Sequence, residues 1–246
     1  MSTHTENENE GESPKCPEPF TAPGKCTDEV RFVFDDQQEL YVSQNLLILS
    51  SPVFEAIFKN DLKEKQQSAV LLKEKSYTDF HEFLMCIHPG TLKPVSEANV
   101  LRIVHIAEEY QVDSIIQSCK SVMKNWLEKD YVSAKKNYNN SCYYHVVPTR
   151  QCLSILTTSL ALNYKSLVDN AVDMLAKMPH RIYYGSYVPE TLSTSYHSDK
   201  LNVNGKQITV REIIDECKTV FQTLPAELRC TILSKRLAFD SGNEVK

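Results

Sequence analysis

Apolar and polar positions alternate over residues 30–34, which predicts a half-buried strand with Val30, Phe32 and Phe34 on one face. The polar run 35–38 predicts a turn, and residues 39–42 return as the second strand of a hairpin. Ser43 is placed to cap a short helix carrying Leu46, Leu47 and Leu49. Ser51-Pro52 restarts the chain, since proline at the first helical position gives up an N–H that has no intrahelical partner anyway. The helix that follows is expected to turn Val53, Ile57 and Phe58 inward. Residues 69–72 read as a third strand. Ser76-Tyr77-Thr78-Asp79 has the form of a capping box, with the aspartate reaching back. Tyr77, Phe80, Phe83, Leu84 and Ile87 then keep helical spacing until Pro89-Gly90 stops them. Ser96 is expected to open the next helix, with Val100, Ile103, Val104 and Ala107 inside. Val112, Ile115, Ile116, Cys119, Val122, Met123 and Trp126 continue the rhythm. The pattern predicts an α+β unit, a small sheet capped by helices, ending near Leu127.

The rest of the chain reads as mostly α-helical. Residues 131–148 are polar and tyrosine-rich and predict a linker or irregular helix. Leu153, Leu156 and Leu160 form one stripe; Leu167, Val168, Ala171, Val172 and Leu175 form the next, closed by Met178-Pro179. Residues 181–206 show no clear period, although Asn204-Gly205 is a turn signal. Ile213, Ile214, Cys217, Val220 and Phe221 mark another helix, and Pro225 begins a last one through Leu237. The expected organisation is a disordered tail (1–27), an α+β domain (28–128), a helical region (129–239) and a frayed end (240–246).

Composition narrows the function. With 41% hydrophobic residues in 246, the chain can bury a real core, and a net charge of −5 argues against a basic nucleic-acid surface. No apolar run approaches the roughly 20 residues that span a bilayer. The polar, acidic start lacks the apolar core of a secretory signal, so a cytoplasmic or nuclear protein is expected, with no membrane partner. Its eight cysteines form no CxxC pair and are expected to be reduced thiols.

No catalytic or metal constellation stands out, so neither an enzyme nor a cofactor is expected. The seven histidines show neither HExxH nor finger spacing, and Cys142, His145 and Cys152 lack a fourth zinc ligand. No P-loop, GxGxxG or GxSxG motif occurs, and six glycines leave little for phosphate-cradling loops. The tyrosines over residues 131–144 lack the dense basic frame that nucleic-acid stacking uses.

The segment Leu49-Ser50-Ser51-Pro52-Val53-Phe54-Glu55-Ala56-Ile57-Phe58 resembles the "S-P-V-F…F" core of the BTB/POZ domain, a module that binds other proteins. Phe80-His81-Glu82-Phe83-Leu84-Met85-Cys86-Ile87 and Ala107-Glu108-Glu109-Tyr110, ahead of Ile115 and Cys119, match its later helices in order. The central blocks look most like the BTB part of invertebrate MATH–BTB proteins, although no MATH domain fits in the N-terminal tail. The helical second half loosely resembles the BACK-type region that follows many BTB domains.

The resemblance implies three surfaces. One is a homodimer interface using Val30, Phe32, Leu46, Leu47 and Leu49, some of which must instead fill the monomer core. A second is a cullin-3 contact through Leu62 and Glu64 of Leu62-Lys63-Glu64, bordered by Phe58 and His88. Here His88-Pro89-Gly90 departs from the family's aromatic-led turn. The third is the charged pocket of BTB repressors, where Asp28 is the acidic member but Ser43-Gln44 stands at the basic position. The expectation is a non-enzymatic adaptor that dimerises and links a cullin-3 ubiquitin-ligase scaffold to an unknown substrate protein. The alternative is a homo- or hetero-dimerising scaffold that does not bind cullin.

Overall fold

The computed structural model describes residues 18–24, 26–59, 69–136, 143–185, 200–203 and 206–241. The chain folds as two compact units, Met1–Thr91 and Leu92–Lys246.

In the first unit, strand β1 (Glu29–Phe34) lies between β2 (Glu39–Ser43), antiparallel to it, and β3 (Ala69–Leu72), parallel to it. Phe32 stands opposite Leu40 on one side and Val70 on the other. The expected alternation holds: Val30, Phe32, Phe34, Leu40 and Val42 are all buried. The β1–β2 turn closes with the Phe34 carbonyl accepting from Gln37 at 3.0 Å, and Gln37 takes the left-handed conformation that a tight turn needs (φ 64°).

Among the described residues this unit has helices α1 (Gln44–Ser50), α2 (Pro52–Lys59) and α3 (Tyr77–Ile87). Each start follows from a residue placed to satisfy orphan amides. Ser43 accepts from Leu46 N, the Ser51 hydroxyl accepts from Phe54 N at 3.0 Å, and the Ser76 hydroxyl accepts from Asp79 N at 3.3 Å. Pro52 takes the first position of α2 as expected.

The core of the unit is a chain of aromatic rings. Phe32 meets Phe80 edge-on at 5.1 Å and Phe54 at 6.0 Å, Phe34 meets Tyr77 at 5.4 Å, and Phe54 stacks on Phe58 at 6.2 Å. Such pairs add about 0.5–1.5 kcal/mol each beyond their buried area. On α2 the inward residues are Phe54 and Phe58, while Val53 and Ile57 are half-buried. The expected inner face of that helix is therefore rotated toward Phe54.

Of the tail expected to be disordered through residue 27, residues 1–17 and 25 lie outside the described residues, and the part around Phe20 is tied to the first unit. The Phe20 carbonyl accepts from Tyr41 N at 2.8 Å, adding a contact to the β2 edge, and Pro19 O lies 2.8 Å from His81 Nε2. The Phe20 ring sits edge-on to His81 and His88, at 6.1 and 5.2 Å. One aromatic side chain and two backbone carbonyls are enough to hold a polar segment whose composition gives no periodic signal.

The second unit is built from helices α4 (Val100–Glu109), α5 (Asp113–Lys136), α6 (Tyr143–Ala161), α7 (Lys165–Lys177), α8 (Val210–Thr223) and α9 (Ala226–Asp240). Asn99, not Ser96, leads directly into α4; its buried side-chain oxygen accepts from Ser96 N at 2.8 Å. Helix α5 runs through Lys136, past the domain boundary expected at 128; its polar C-terminal turns carry no apolar stripe by which the sequence would show the extension. Helix α6 begins at Tyr143 and contains Pro148, so the expected linker over 131–148 holds parts of two helices.

Helix α6 packs against α5, α7 and α8. It buries Val146, Cys152, Leu153, Ile155 and Leu156 as well as His145, Thr149 and Ser159. A helix covered on several sides carries no single stripe, which explains its weak period. Within 181–206 a 3₁₀ turn (His180–Ile182) precedes a hairpin of β4 (Lys200–Val203) and β5 (Lys206–Thr209). The strands pair Val203 with Lys206, and the Asn204-Gly205 turn signal between them lies outside the described residues. Thr209 and Glu212 form a full capping box at the start of α8.

Candidate interaction surfaces

Helix α1 divides the residues carried over as a dimer interface. Val30, Phe32 and Leu47 are buried at 5%, 0% and 0% and belong to the core of the first unit. Leu46 is half-buried, and Leu49 is 87% exposed. The sequence alone could not make this division, because a short helix with three leucines gives no second turn to define its face. The apolar surface that α1 leaves exposed is Leu49 with the half-buried Leu46 and Ile48.

Asp28 fixes how α1 leaves the sheet. Its carboxylate accepts from the Ser43 hydroxyl at 2.6 Å and Asn45 N at 3.0 Å, and its carbonyl accepts from Gln44 N at 2.8 Å. With Ser43 accepting from Leu46 N, the opening amides of α1 are satisfied. The Ser43 hydroxyl and the Asn45 amide hold the Asp28 carboxyl below its ordinary range. Asp28 is thus engaged in capping, and the residue opposite it is a serine.

Of the residues carried over as a cullin contact, Leu62 and Glu64 lie outside the described residues. Phe58 is buried at 8% against Phe54. His88 is half-buried at the end of α3, with its Nδ1 accepting from Gly90 N at 3.0 Å and its ring against Phe20. The structure therefore leaves His88, not Phe58, at the surface.

Several groups of strongly altered acidity belong to packing. Burial pushes the Tyr110 phenol and the Cys217 thiol up to about 12 each, and pushes Cys152 and Tyr183 up as well. Tyr183, absent from every expected face, is 1% exposed and donates to Leu175 O at 3.0 Å. A thiol so displaced from its thiolate is inert as a nucleophile. Cys26 and Cys230 are exposed. Among the described residues no group of three His, Cys, Asp or Glu stands close enough to hold a metal ion. No helix among them is long and apolar enough to cross a membrane.

The described part of the first unit is a three-stranded sheet with an aromatic core and capped helices. Residues 20–126 match the BTB/POZ domain family, and the chain carries that domain, a protein-interaction unit. The match starts at Phe20, the residue that anchors the N-terminal segment. The chain is 29% identical over 85 residues to BTB and MATH domain-containing protein 38 of Caenorhabditis elegans, covering 35% of this chain and 22% of that protein. It is 29% identical over 89 residues to Kelch-like protein 38 of Rattus norvegicus, covering 36% and 15%. A BTB/POZ domain-containing protein of Arabidopsis thaliana is 26% identical over 88 residues, covering 35% and 17%. The matched part spans under a quarter of each of these relatives.

Proposed function

We propose that this protein is a non-enzymatic adaptor. It dimerises through α1 of its BTB/POZ domain and links a cullin-3 ubiquitin-ligase scaffold to a protein recruited by its BACK-like helical region. The observation that carries the reading is Leu49, 87% exposed beside half-buried Leu46 and Ile48 on a helix whose start is rigidly capped. An apolar patch on a fixed element of an interaction domain is a docking surface more readily than a solvated face. The cullin contact rests on Leu62-Lys63-Glu64 following α2, an apolar anchor beside a charge able to meet a basic rim.

One observation favours the simpler reading of a dimerising scaffold without cullin binding: Phe58, expected to border the cullin contact, is buried. A direct binding assay separates the two. The full chain is titrated with the N-terminal region of cullin-3, beside a Leu62→Ala/Glu64→Lys variant of the same oligomeric state. Binding by the wild type that the variant loses supports the adaptor. Absence of wild-type binding sinks it and leaves the scaffold.

A further inference from the structure

The second unit carries a cleft of about 380 Å³ at the junction of α5 and the start of α7. Its polar lining is Lys120, Ser121, Lys124, Asn163, Ser166 and Asn170, and among the described residues it includes no carboxylate. The first turn of α7 adds none.

Both lysines project from α5 one turn apart, on the same face of the helix. Lys120 is held in place: its Nζ lies 4.2 Å from the centre of the Tyr164 ring, a cation–π contact. Tyr164 is itself 8% exposed, and its hydroxyl donates to the Glu108 carboxylate of α4. The ring under the ammonium is therefore anchored from the far side, and the carboxylate that anchors it is occupied. The contact recorded for Lys124 is a 3.9 Å pair with Glu128, both side chains more than half exposed. Such a pair is worth little and yields readily to a better anion. Hydroxyls of Ser121 and Ser166 and amides of Asn163 and Asn170 supply neutral donors around the two positive charges, one held and one free to swing.

From this geometry we infer that the cleft binds an acidic peptide segment, seating one anionic side chain between Lys120 and Lys124. A cleft near the lower end of the roughly 300–1,000 Å³ range of ligand pockets suits one or two side chains, not a folded surface. The anion is a carboxylate or a phosphorylated serine, since both present several acceptor oxygens to ammonium groups and hydroxyls. The inference deepens the adaptor reading and rests on it only for the peptide's role as the recruited protein.

The test uses the full chain and three fluorescently labelled peptides: one rich in Asp and Glu, its neutral Asn/Gln counterpart, and one bearing a single phosphoserine in the neutral frame. Polarisation is read at low and physiological salt for the wild type, for Lys120→Glu/Lys124→Glu, and for a charge-matched control, Lys206→Glu/Arg211→Glu, at exposed positions away from the cleft lining. Melting curves check that all three fold alike. The expected result is salt-sensitive binding of at least one anionic peptide and not the neutral one, about tenfold or more weaker in the cleft variant and unchanged in the control. Tighter binding of the acidic peptide identifies carboxylate as the anion, and tighter binding of the phosphopeptide identifies phosphate. Equal loss in the control, binding of the neutral peptide, or no binding of either anionic peptide overturns the inference. Cullin-3 binding, measured separately on the same proteins, keeps the two readings apart. Retained cullin binding without peptide binding overturns the cleft alone. Peptide binding without cullin binding overturns the adaptor and leaves an acidic-peptide site.

Discussion

Replacing Leu49 by alanine should split the proposed dimer and leave the fold intact. The side chain is 87% exposed in the isolated chain, so truncation removes almost nothing from the core. Buried in an interface, a leucine contributes about 1.5–3 kcal/mol, of which truncation to alanine forfeits about 2. A two-fold interface uses the same residue from both protomers, so the loss doubles to about 4 kcal/mol. At 1.4 kcal/mol per tenfold, the dimer dissociation constant rises on the order of 10³-fold. Leu47, two residues away and 0% exposed, gives the contrast: Leu47→Ala should cost about 2–5 kcal/mol of folding stability. Sedimentation equilibrium over a wide concentration range reads the association, and urea unfolding of the dissociated chain reads the fold. A Leu49→Ala protein that associates within threefold of wild type refutes the reasoning, as does one that is clearly destabilised as a monomer.

Arg236 spans the end of α7: its Nη1 donates to the carbonyls of Ala176, Lys177 and Met178 at 3.1–3.4 Å, and its Nε and Nη2 meet Asp240. Arg236→Lys cannot reproduce that fork and should lose about 2 kcal/mol of stability in chemical denaturation. Burial and the nearby Glu97 carboxylate push Asp130 up to about 6, against the opposing Lys129. Folding therefore takes up a proton between roughly pH 4 and 6, and stability falls as pH rises through that window. Asp130→Asn should flatten this slope and raise stability at pH 7 by on the order of 1 kcal/mol, after allowing for solvent screening. Asp28 has the opposite sign: its lowered pKa contributes stability at neutral pH that fades as pH falls below its unfolded value of about 3.9. Asp28→Ala should cost about 1 kcal/mol, the usual worth of a helix cap, and thermal melts at pH 7 and pH 3 should show the difference shrinking in acid.

The first unit was legible where the signal is local. Alternation placed Val30, Phe32 and Phe34 inside, Ser43 and Ser76 cap the helices they precede, and Pro52 opens its own. What remained hidden was decided by packing at a distance. The inward turn of Phe54 depends on Phe32, which lies on another element. The anchoring of Phe20 depends on two histidines more than sixty residues away. Pro148 reads as a helix breaker, yet helix α6 accommodates it. The run of leucines on α1 was legible, but only exposure separates Leu49 from Leu47. The cleft had no linear signature, because Lys120 and Lys124 stand some forty residues before the residues that face them.

The most direct test of the adaptor reading is the mass of the complex between this protein and the N-terminal region of cullin-3, measured by light scattering during gel filtration. The account predicts two chains of 28.1 kDa with two cullin fragments, falling to one of each with Leu49→Ala. A wild-type chain that elutes apart from cullin at micromolar concentration, or that runs as a monomer throughout, contradicts it.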